Sequence, residues 1–318
     1  MIHRNSVIRD RIRSVNKMTI KACLAIMAVF CALTACIDRE DPPSERAVPT
    51  TMFPNWPPEL NGFRFRWTAE PGIDLLTGPA IPVRAYLESY RVGLMTKSIN
   101  NTYPGFERAI PAIPDRQDRV NGYLDWEKLP FQLKWIRPAI DDSINFGDGP
   151  FFGNEYFHVI ELSPLEDGYL TYVCDGIYNV FHPAIGQPGK YSSVADYLVS
   201  GGSDVERRER YTVKLWRIEF KNSDSATGSK QPQVGANPAP VGDVFGSWRI
   251  EGASSDNYWG SLSNVTHSPQ DPDYVQRLQQ CRDTMPHNVT ERAKILTSVV
   301  DSPPPAEPAE PGWPSQNP

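Results

Sequence analysis

The sequence lacks the short motifs by which many catalytic sites are recognised. It contains no Gly-x-Ser-x-Gly turn, no His-Glu-x-x-His helix, no glycine-rich phosphate loop and no calcium-binding loop. Histidine is scarce as well, with 5 in 318 residues and no two of them four positions apart. These absences exclude the best-known hydrolase, zinc-peptidase and nucleotide-binding signatures. An enzyme whose pocket carries no short motif is still compatible with the sequence.

The sequence also lacks an apolar run long enough to cross a membrane. No charge occurs from Ala22 to Ile37, but this run has only 16 residues, and a spanning helix needs about 20. The 21 residues before it carry six basic groups and one acidic group. A basic leader followed by a short apolar core indicates a secretory signal peptide, predicted at 1–35 with either Met1 or Met18 as the start. An uncleaved signal anchor is the alternative.

The apolar run ends in Leu33-Thr34-Ala35-Cys36, which resembles the lipobox of bacterial lipoprotein precursors. The resemblance implies cleavage before Cys36 and lipidation of the Cys36 sulfur. Two or three acyl chains anchor a protein stably, because each buried CH₂ contributes about 0.8 kcal/mol. We therefore expect a protein that is lipid-anchored through Cys36 on the extracytoplasmic face of the cell membrane.

Positive charge is scarce in the part that follows the leader. Without the six basic residues and one acidic residue of the first 35, the chain has 26 basic and 37 acidic groups, a net charge of −11. Such a chain repels phosphate polymers and anionic headgroups. We therefore expect no nucleic-acid partner, and membrane attachment through lipid alone.

Cysteine is rare, and its positions are informative. Cys23 and Cys31 belong to the leader and Cys36 to the lipobox, so that Cys174 and Cys281 remain. An even pair in an oxidising compartment predicts a disulfide, with two separate buried thiols as the alternative. Neither cysteine stands in a Cys-x-x-Cys pair, so we predict no metal site and no cofactor.

Proline-rich segments flank the part of the sequence that can form a core. Residues 36–59 are charged and proline-rich, which predicts a tether, and residues 301–318 have the composition of a disordered tail. The sequence between them, 60–300, has the length and composition of one globular α+β domain.

The order of the predicted elements determines the expected fold. Apolar residues recur every three or four positions in 81–99, which predicts a helix. Strands predominate after residue 150, in a hairpin turning at Asp167-Gly168 and in the later stretches RYTVKLWRIEF and VFGSWRIEG. Two helices follow, in 271–283 and 288–300, the second with a capping box. We predict an α+β fold: a curved antiparallel sheet with the N-terminal helix packed on its concave face, and extra C-terminal helices.

This order resembles nuclear transport factor two-like (SnoaL-like) domains, in which helices precede a bent sheet. The stretches Trp216-Arg217-Ile218 and Trp248-Arg249-Ile250 are similar to a Trp-Arg-hydrophobic stretch of that family. The resemblance implies a cone with an internal cavity, where a His/Asp pair can act in acid–base catalysis. If Asp167-Gly168 is the turn, His158 and Asp175 lie in diagonal reach on one face. They are the catalytic candidates, and a core-edge histidine bonded to a carboxylate is the alternative.

Two functional hypotheses follow. The first is a cell-envelope lipoprotein whose extracytoplasmic domain is a non-catalytic binding or accessory module for an unknown protein or a small apolar ligand. The second is a cavity enzyme of SnoaL-like type that uses His158 and Asp175. The alternating aromatic residues Phe63, Phe65 and Trp67 could line such a cavity or simply fill a core.

Overall fold

An eight-stranded sheet organises the part of the chain that the computed structural model describes, residues 52–113, 128–140, 147–197, 212–223, 231–261 and 271–316. Its strands are β1 (Gly62–Ala69), β2 (Phe152–Leu165), β3 (Gly168–Gly176), β4 (Val180–Pro183), β5 (Tyr191–Ser193), β6 (Val213–Asn222), β7 (Trp248–Ser254) and β8 (Val299–Val300). The order along the sheet is β7-β6-β3-β2-β4-β5-β8, with β1 on β2 beside this path. The pairs are antiparallel except for the parallel pair β1–β2, and the sheet is not closed.

Helices precede, interrupt and follow the strands. They are α1 (Ala80–Met95), α2 (Phe106–Ala109), α3 (Phe131–Lys134), α4 (Val194–Tyr197), α5 (Tyr274–Thr284) and α6 (Val289–Thr297). The predicted capping box starts α6: the Asn288 side chain accepts from the N–H groups of Thr290 and Glu291, and the Glu291 carboxylate accepts from the N–H of Asn288. The α+β class and the extra C-terminal helices are confirmed.

The two faces of the sheet carry different helices. Side chains alternate between faces along a strand, and Cys174 and Asp175 are neighbours in β3. Asp175 accepts a hydrogen bond of 2.9 Å from Arg91 of α1, whereas Cys174 is bonded to Cys281 of α5. Helix α1 therefore covers one face of the central strands, and α5 covers the other.

Helix α1 is buried at all 16 of its residues. The sequence pattern predicts one buried face, yet Arg84, Glu88 and Arg91 are only 0%, 1% and 5% exposed. Segments from distant parts of the chain account for this burial, because Gln233 and Gly312 supply backbone carbonyls to Arg84. The helix therefore lies inside the protein instead of on its surface.

The alternating aromatic rings of β1 belong to the core. The Trp67 ring stacks on Phe157 of β2 with 4.4 Å between ring centroids, and Phe63 and Phe65 meet edge to face at 4.8 Å. All three β1 rings are nearly inaccessible to solvent. Their period of two follows from the alternation of side chains along a strand, and their described contacts are those of core residues.

The chain beyond residue 300 packs against the sheet, so the prediction of a disordered tail is wrong for residues 301–316. Trp313 is 1% exposed. Glu310 exchanges backbone hydrogen bonds with β1, accepting from the N–H of Trp67 and donating to the carbonyl of Phe65. A segment rich in proline and glutamate cannot form a hydrophobic core of its own. It docks on the core of the domain through the Trp313 side chain and through backbone hydrogen bonds to β1.

The predicted start of the domain at residue 60 is also wrong. Trp56 and Leu60 are 6% and 0% exposed and join the aromatic core, and the Asn55 amide donates to the carbonyl of Pro240 at 2.9 Å. Packing therefore begins before residue 60, and the prediction of a tether is left for the part of 36–59 that precedes residue 52.

The predicted export signals lie outside the described residues. The predicted signal peptide at 1–35 and the predicted lipidation site Cys36 both precede residue 52, the first residue that the structure describes. Among the described residues, no helix has the length and apolarity of a bilayer span.

The predicted disulfide between Cys174 and Cys281 is present. It joins the central strand β3 to α5 across a sequence separation of 107 residues, and both cysteines are completely buried. The bond therefore fixes α5 on its face of the sheet.

We expect the variant Cys174→Ala/Cys281→Ala to lose about 3–5 kcal/mol of unfolding free energy, because a long loop in the unfolded chain is no longer closed. Urea unfolding of the parent and the variant, each with and without reductant, measures this. Reductant should lower the midpoint of the parent and leave that of the variant unchanged. Equal midpoints for all four samples would contradict the prediction.

Candidate functional site

The catalytic candidates His158 and Asp175 lie on opposite faces of the sheet, so the predicted pair is wrong. Leu165 pairs with Gly168 at the hairpin turn, whereas further along His158 pairs with Cys174 and Phe157 with Asp175. Paired residues share a face and sequence neighbours do not. His158 is therefore on the α5 side and Asp175 on the α1 side.

A β-bulge separates the two candidates. The register of β2 and β3 shifts between Val159 and Glu161, which leaves Ile160 as the extra residue. If the register at the turn continued without this shift, His158 would stand directly opposite Asp175. One inserted residue moves the side chains on its far side from the turn to the other face of the sheet. The bulge therefore places His158 and Asp175, which were predicted to share a face, on opposite faces.

On the α5 side, His158 takes part in a chain of polar contacts. Its Nδ1 lies 2.7 Å from Thr68 Oγ1, and its Nε2 lies 3.5 Å from Glu70 Oε1. Gln280 of α5 donates to the same Glu70 oxygen at 2.9 Å. The Thr68 hydroxyl also lies 3.5 Å from the Phe157 carbonyl oxygen, so its one proton has two acceptors within reach, that carbonyl and the His158 ring.

On the α1 side, Asp175 belongs to a buried ionic cluster. Arg91 donates from Nε to Glu155 Oε1 at 2.8 Å and from Nη2 to Asp175 Oδ2 at 2.9 Å. Trp216 Nε1 donates to the same Asp175 oxygen at 3.0 Å. The side chains of Arg91, Glu155 and Asp175 are 6%, 0% and 1% exposed. The cluster therefore connects α1 to β2, β3 and β6. The guanidinium of Arg91 bonds one carboxylate through Nε and another through Nη2.

Lys214 lies at the edge of the ionic cluster. It pairs with Asp175 across β3 and β6, and it is partly exposed. Burial lowers the pKa of its amine, and the charge of Asp175 opposes that change. Lys214 is thus a cation beside the acidic pair, at the point where the cluster approaches solvent.

Glu88 of α1 is the acceptor at a second buried junction. It accepts from Trp67 Nε1 at 2.7 Å, from the Tyr103 hydroxyl at 2.8 Å and from Trp313 Nε1 at 2.7 Å. Burial raises the pKa of Glu88 to about 7, against the opposing effects of Arg84 and of these three donors. One carboxyl group therefore joins α1 to β1, to Tyr103 in the loop after α1, and to Trp313 in the C-terminal segment (residues 301–316).

Arg84, one turn before Glu88 in α1, binds the C-terminal segment through hydrogen bonds. Its guanidinium donates to the backbone carbonyls of Leu75, Gln233, Pro311 and Gly312 at 3.0, 3.0, 2.7 and 3.3 Å. It also lies over the Trp313 ring at 4.3 Å from the centroid, a distance at which a cation is attracted to the ring face. Sequence reasoning missed the burial of Arg84, Glu88 and Arg91, because charged residues in a helix pattern ordinarily face water.

The described surface clefts do not join the two candidate residues. One cleft of about 780 Å³ lies between α5 and α6, and another of about 800 Å³ borders α5. Neither is lined by His158 or Asp175. Within the described residues there is also no group of three or more His, Cys, Asp or Glu side chains that could hold a metal ion.

We expect Glu88 to make stability depend on pH. Its carboxyl has a pKa of about 7 in the folded chain against an ordinary 4.5, so the folded state binds more protons between these values. The associated stability is complete below pH 4.5 and is lost as the pH rises to 7, about 3 kcal/mol in all. Glu88→Gln should remove this part of the slope, at the cost of one indole acceptor. Urea unfolding from pH 4.5 to 8 measures it, and an unchanged slope in the variant would contradict the assignment.

Comparison with known proteins finds no match to a protein-family model, to a curated protein or to a solved structure. The interpretation of the two sites therefore depends on the residues and contacts of this chain.

Proposed function

We propose that this protein is a cell-envelope lipoprotein whose extracytoplasmic domain acts as a non-catalytic binding or accessory module. The observation that carries the proposal is the buried disulfide between Cys174 and Cys281, because structural disulfides persist in oxidising compartments outside the cytosol. It agrees with the basic leader, the apolar core and the lipobox that ends at Cys36. All three indicate export followed by lipid attachment.

The arrangement of the interior supports the non-catalytic part of the proposal. The bulge at Ile160 separates His158 from Asp175, and Asp175 is engaged by Arg91 and Trp216. A general acid or base must reach the proton that it transfers, whereas this carboxylate is closed in by its own partners. The partner, a protein or a small apolar ligand, would then be bound at the surface of the domain.

The proposal predicts a specific mass for the mature chain. Intact mass spectrometry should show a chain that begins at Cys36 and carries acyl groups, and the protein should fractionate with membranes. Cys36→Ser should abolish acylation and release the protein from the membrane, because no polybasic segment replaces the lipid. Cys31→Ser in the same leader is the matched control and should be processed normally. A Cys36→Ser protein that is processed and retained like the parent would overturn the proposal.

A second candidate function is supported by the contacts of His158. Thr68 is exposed, its hydroxyl oxygen lies 2.7 Å from His158 Nδ1, and the other ring nitrogen lies 3.5 Å from a Glu70 carboxyl oxygen. A hydroxyl, a base and a carboxylate in series are the arrangement that activates a nucleophile. The alternative enzyme would then use His158 with Thr68 and Glu70, in place of Asp175.

Hydrolysis of p-nitrophenyl acetate distinguishes this second candidate from the first. If Thr68 is a nucleophile, Thr68→Val and His158→Gln should lose the activity by at least tenfold, whereas Thr68→Ser should keep it. Thr290→Val, at an exposed position in α6, is the control for nonspecific effects. Equal rates for all of these variants would exclude the hydrolytic function and leave the binding module.

A further inference from the structure

Two buried carboxyl oxygens in the Arg91 cluster have no hydrogen-bond partner. They are Glu155 Oε2 and Asp175 Oδ1. The other oxygen of each group accepts from Arg91, at 2.8 and 2.9 Å. Buried polar atoms are almost always paired, because an unpaired one forfeits its hydration without replacement. Two such atoms in one cluster require a physical explanation.

The two carboxyl groups lie next to each other on the α1 face. Phe157 pairs with Asp175, and Glu155 is two positions along β2 from Phe157, so Glu155 and Asp175 are diagonal neighbours across the strands. Both accept from the same Arg91 guanidinium, at 2.8 and 2.9 Å, which brings the two carboxyl groups together. Two carboxylates have no hydrogen to share, and such a contact is favourable only when one of them carries a proton.

The charges around the pair are unequal. Among the described residues, α1 presents Arg91 and Tyr90, β6 presents Lys214, and the segment after β7 presents Asp256. On β1 the residue opposite Glu155 is Phe65, which is uncharged. Lys214 is partly exposed and forms no hydrogen bond or ion pair with either carboxylate among the described contacts, and Asp256 is exposed. The one guanidinium that bonds both carboxylates, that of Arg91, reaches a single oxygen of each, so two ionised groups would leave their other oxygens facing each other without a donor.

We infer that Glu155 and Asp175 share one proton at neutral pH, carried on Glu155 Oε2 and donated to Asp175 Oδ1. Both unpartnered oxygens then have a partner, and the remaining single negative charge is balanced by Arg91. Burial raises the pKa of Glu155 well above its ordinary value, and the charge of Asp175 adds to this against the effect of Arg91. A closed pair of this kind is a proton-binding site between α1 and the sheet.

The proton makes the contact between α1 and the sheet sensitive to alkaline conditions. Because the folded pair binds a proton that an unfolded glutamate releases near its ordinary pKa, stability is highest in acid and falls as the pH rises towards the folded pKa. Loss of the proton leaves two like charges facing each other beside a single guanidinium. The expected weakening is located at Arg91, in the C-terminal half of α1.

Infrared difference spectra of the folded protein at neutral pH test the inference. The parent minus Glu155→Gln spectrum should show the loss of a protonated carboxyl carbonyl band and no loss of an ionised carboxylate band. Asp175→Asn should lose the same protonated band, because Glu155 then faces an amide donor and ionises. The amide groups reproduce the size and hydrogen bonds of the protonated pair, so both variants should fold. The band of Glu88 is common to all samples and cancels.

Glu161→Gln is the matched control, because Glu161 is a partly exposed residue of the same strand that pairs with Arg277. Its difference spectrum should show the loss of an ionised carboxylate band. Loss of an ionised band in Glu155→Gln and Asp175→Asn would overturn the inference. A second measurement is proton uptake on refolding at pH 7, which should decrease by about one proton in either amide variant. Uptake equal to that of the parent would also overturn it.

Discussion

Burial of three charged side chains on one helix is the constraint on which this structure depends. Arg84, Glu88 and Arg91 of α1 are all removed from water, and a buried charge without partners is far too costly for a marginally stable chain. Each therefore requires a fixed set of partners: backbone carbonyls for Arg84, indoles and a phenol for Glu88, and carboxyl groups for Arg91. These partners come from β1, from β2 and β3, and from the C-terminal segment. The requirement to satisfy α1 thus determines where the rest of the chain must lie.

The bulge at Ile160 and the disulfide together separate the two faces of the sheet chemically. The bulge directs Asp175 towards α1 and His158 towards α5. Cys174, between β3 and α5, then holds that helix over the second face through Cys281. Charge compensation occupies the first face, whereas the second face carries a covalent bond and the contact of His158 with Thr68.

Local patterns in the sequence predicted the elements, whereas the site depends on long-range contacts. Helix α1, the capping box at Asn288 and the cysteine pair were predicted from a few residues or from composition, and the structure confirms them. The extra residue Ile160 has no such signal, because a bulge is decided by packing on both faces of a sheet. The docking of Trp313 depends on the partners Glu88 and Arg84, more than 200 positions away. A lone tryptophan in a proline-rich tail was the one hint that it binds elsewhere.

The position of Trp313 has a consequence for the order of events during biogenesis. Glu88 and Arg84 obtain part of their partners from Trp313 and the carbonyls just before it, so the early helix cannot be enclosed until almost the whole chain has been synthesised. A chain still emerging from the ribosome would carry α1 without its closing contacts. Enclosure of α1 is therefore a late event, which occurs when the last residues of the packed unit reach a helix formed from some of its first.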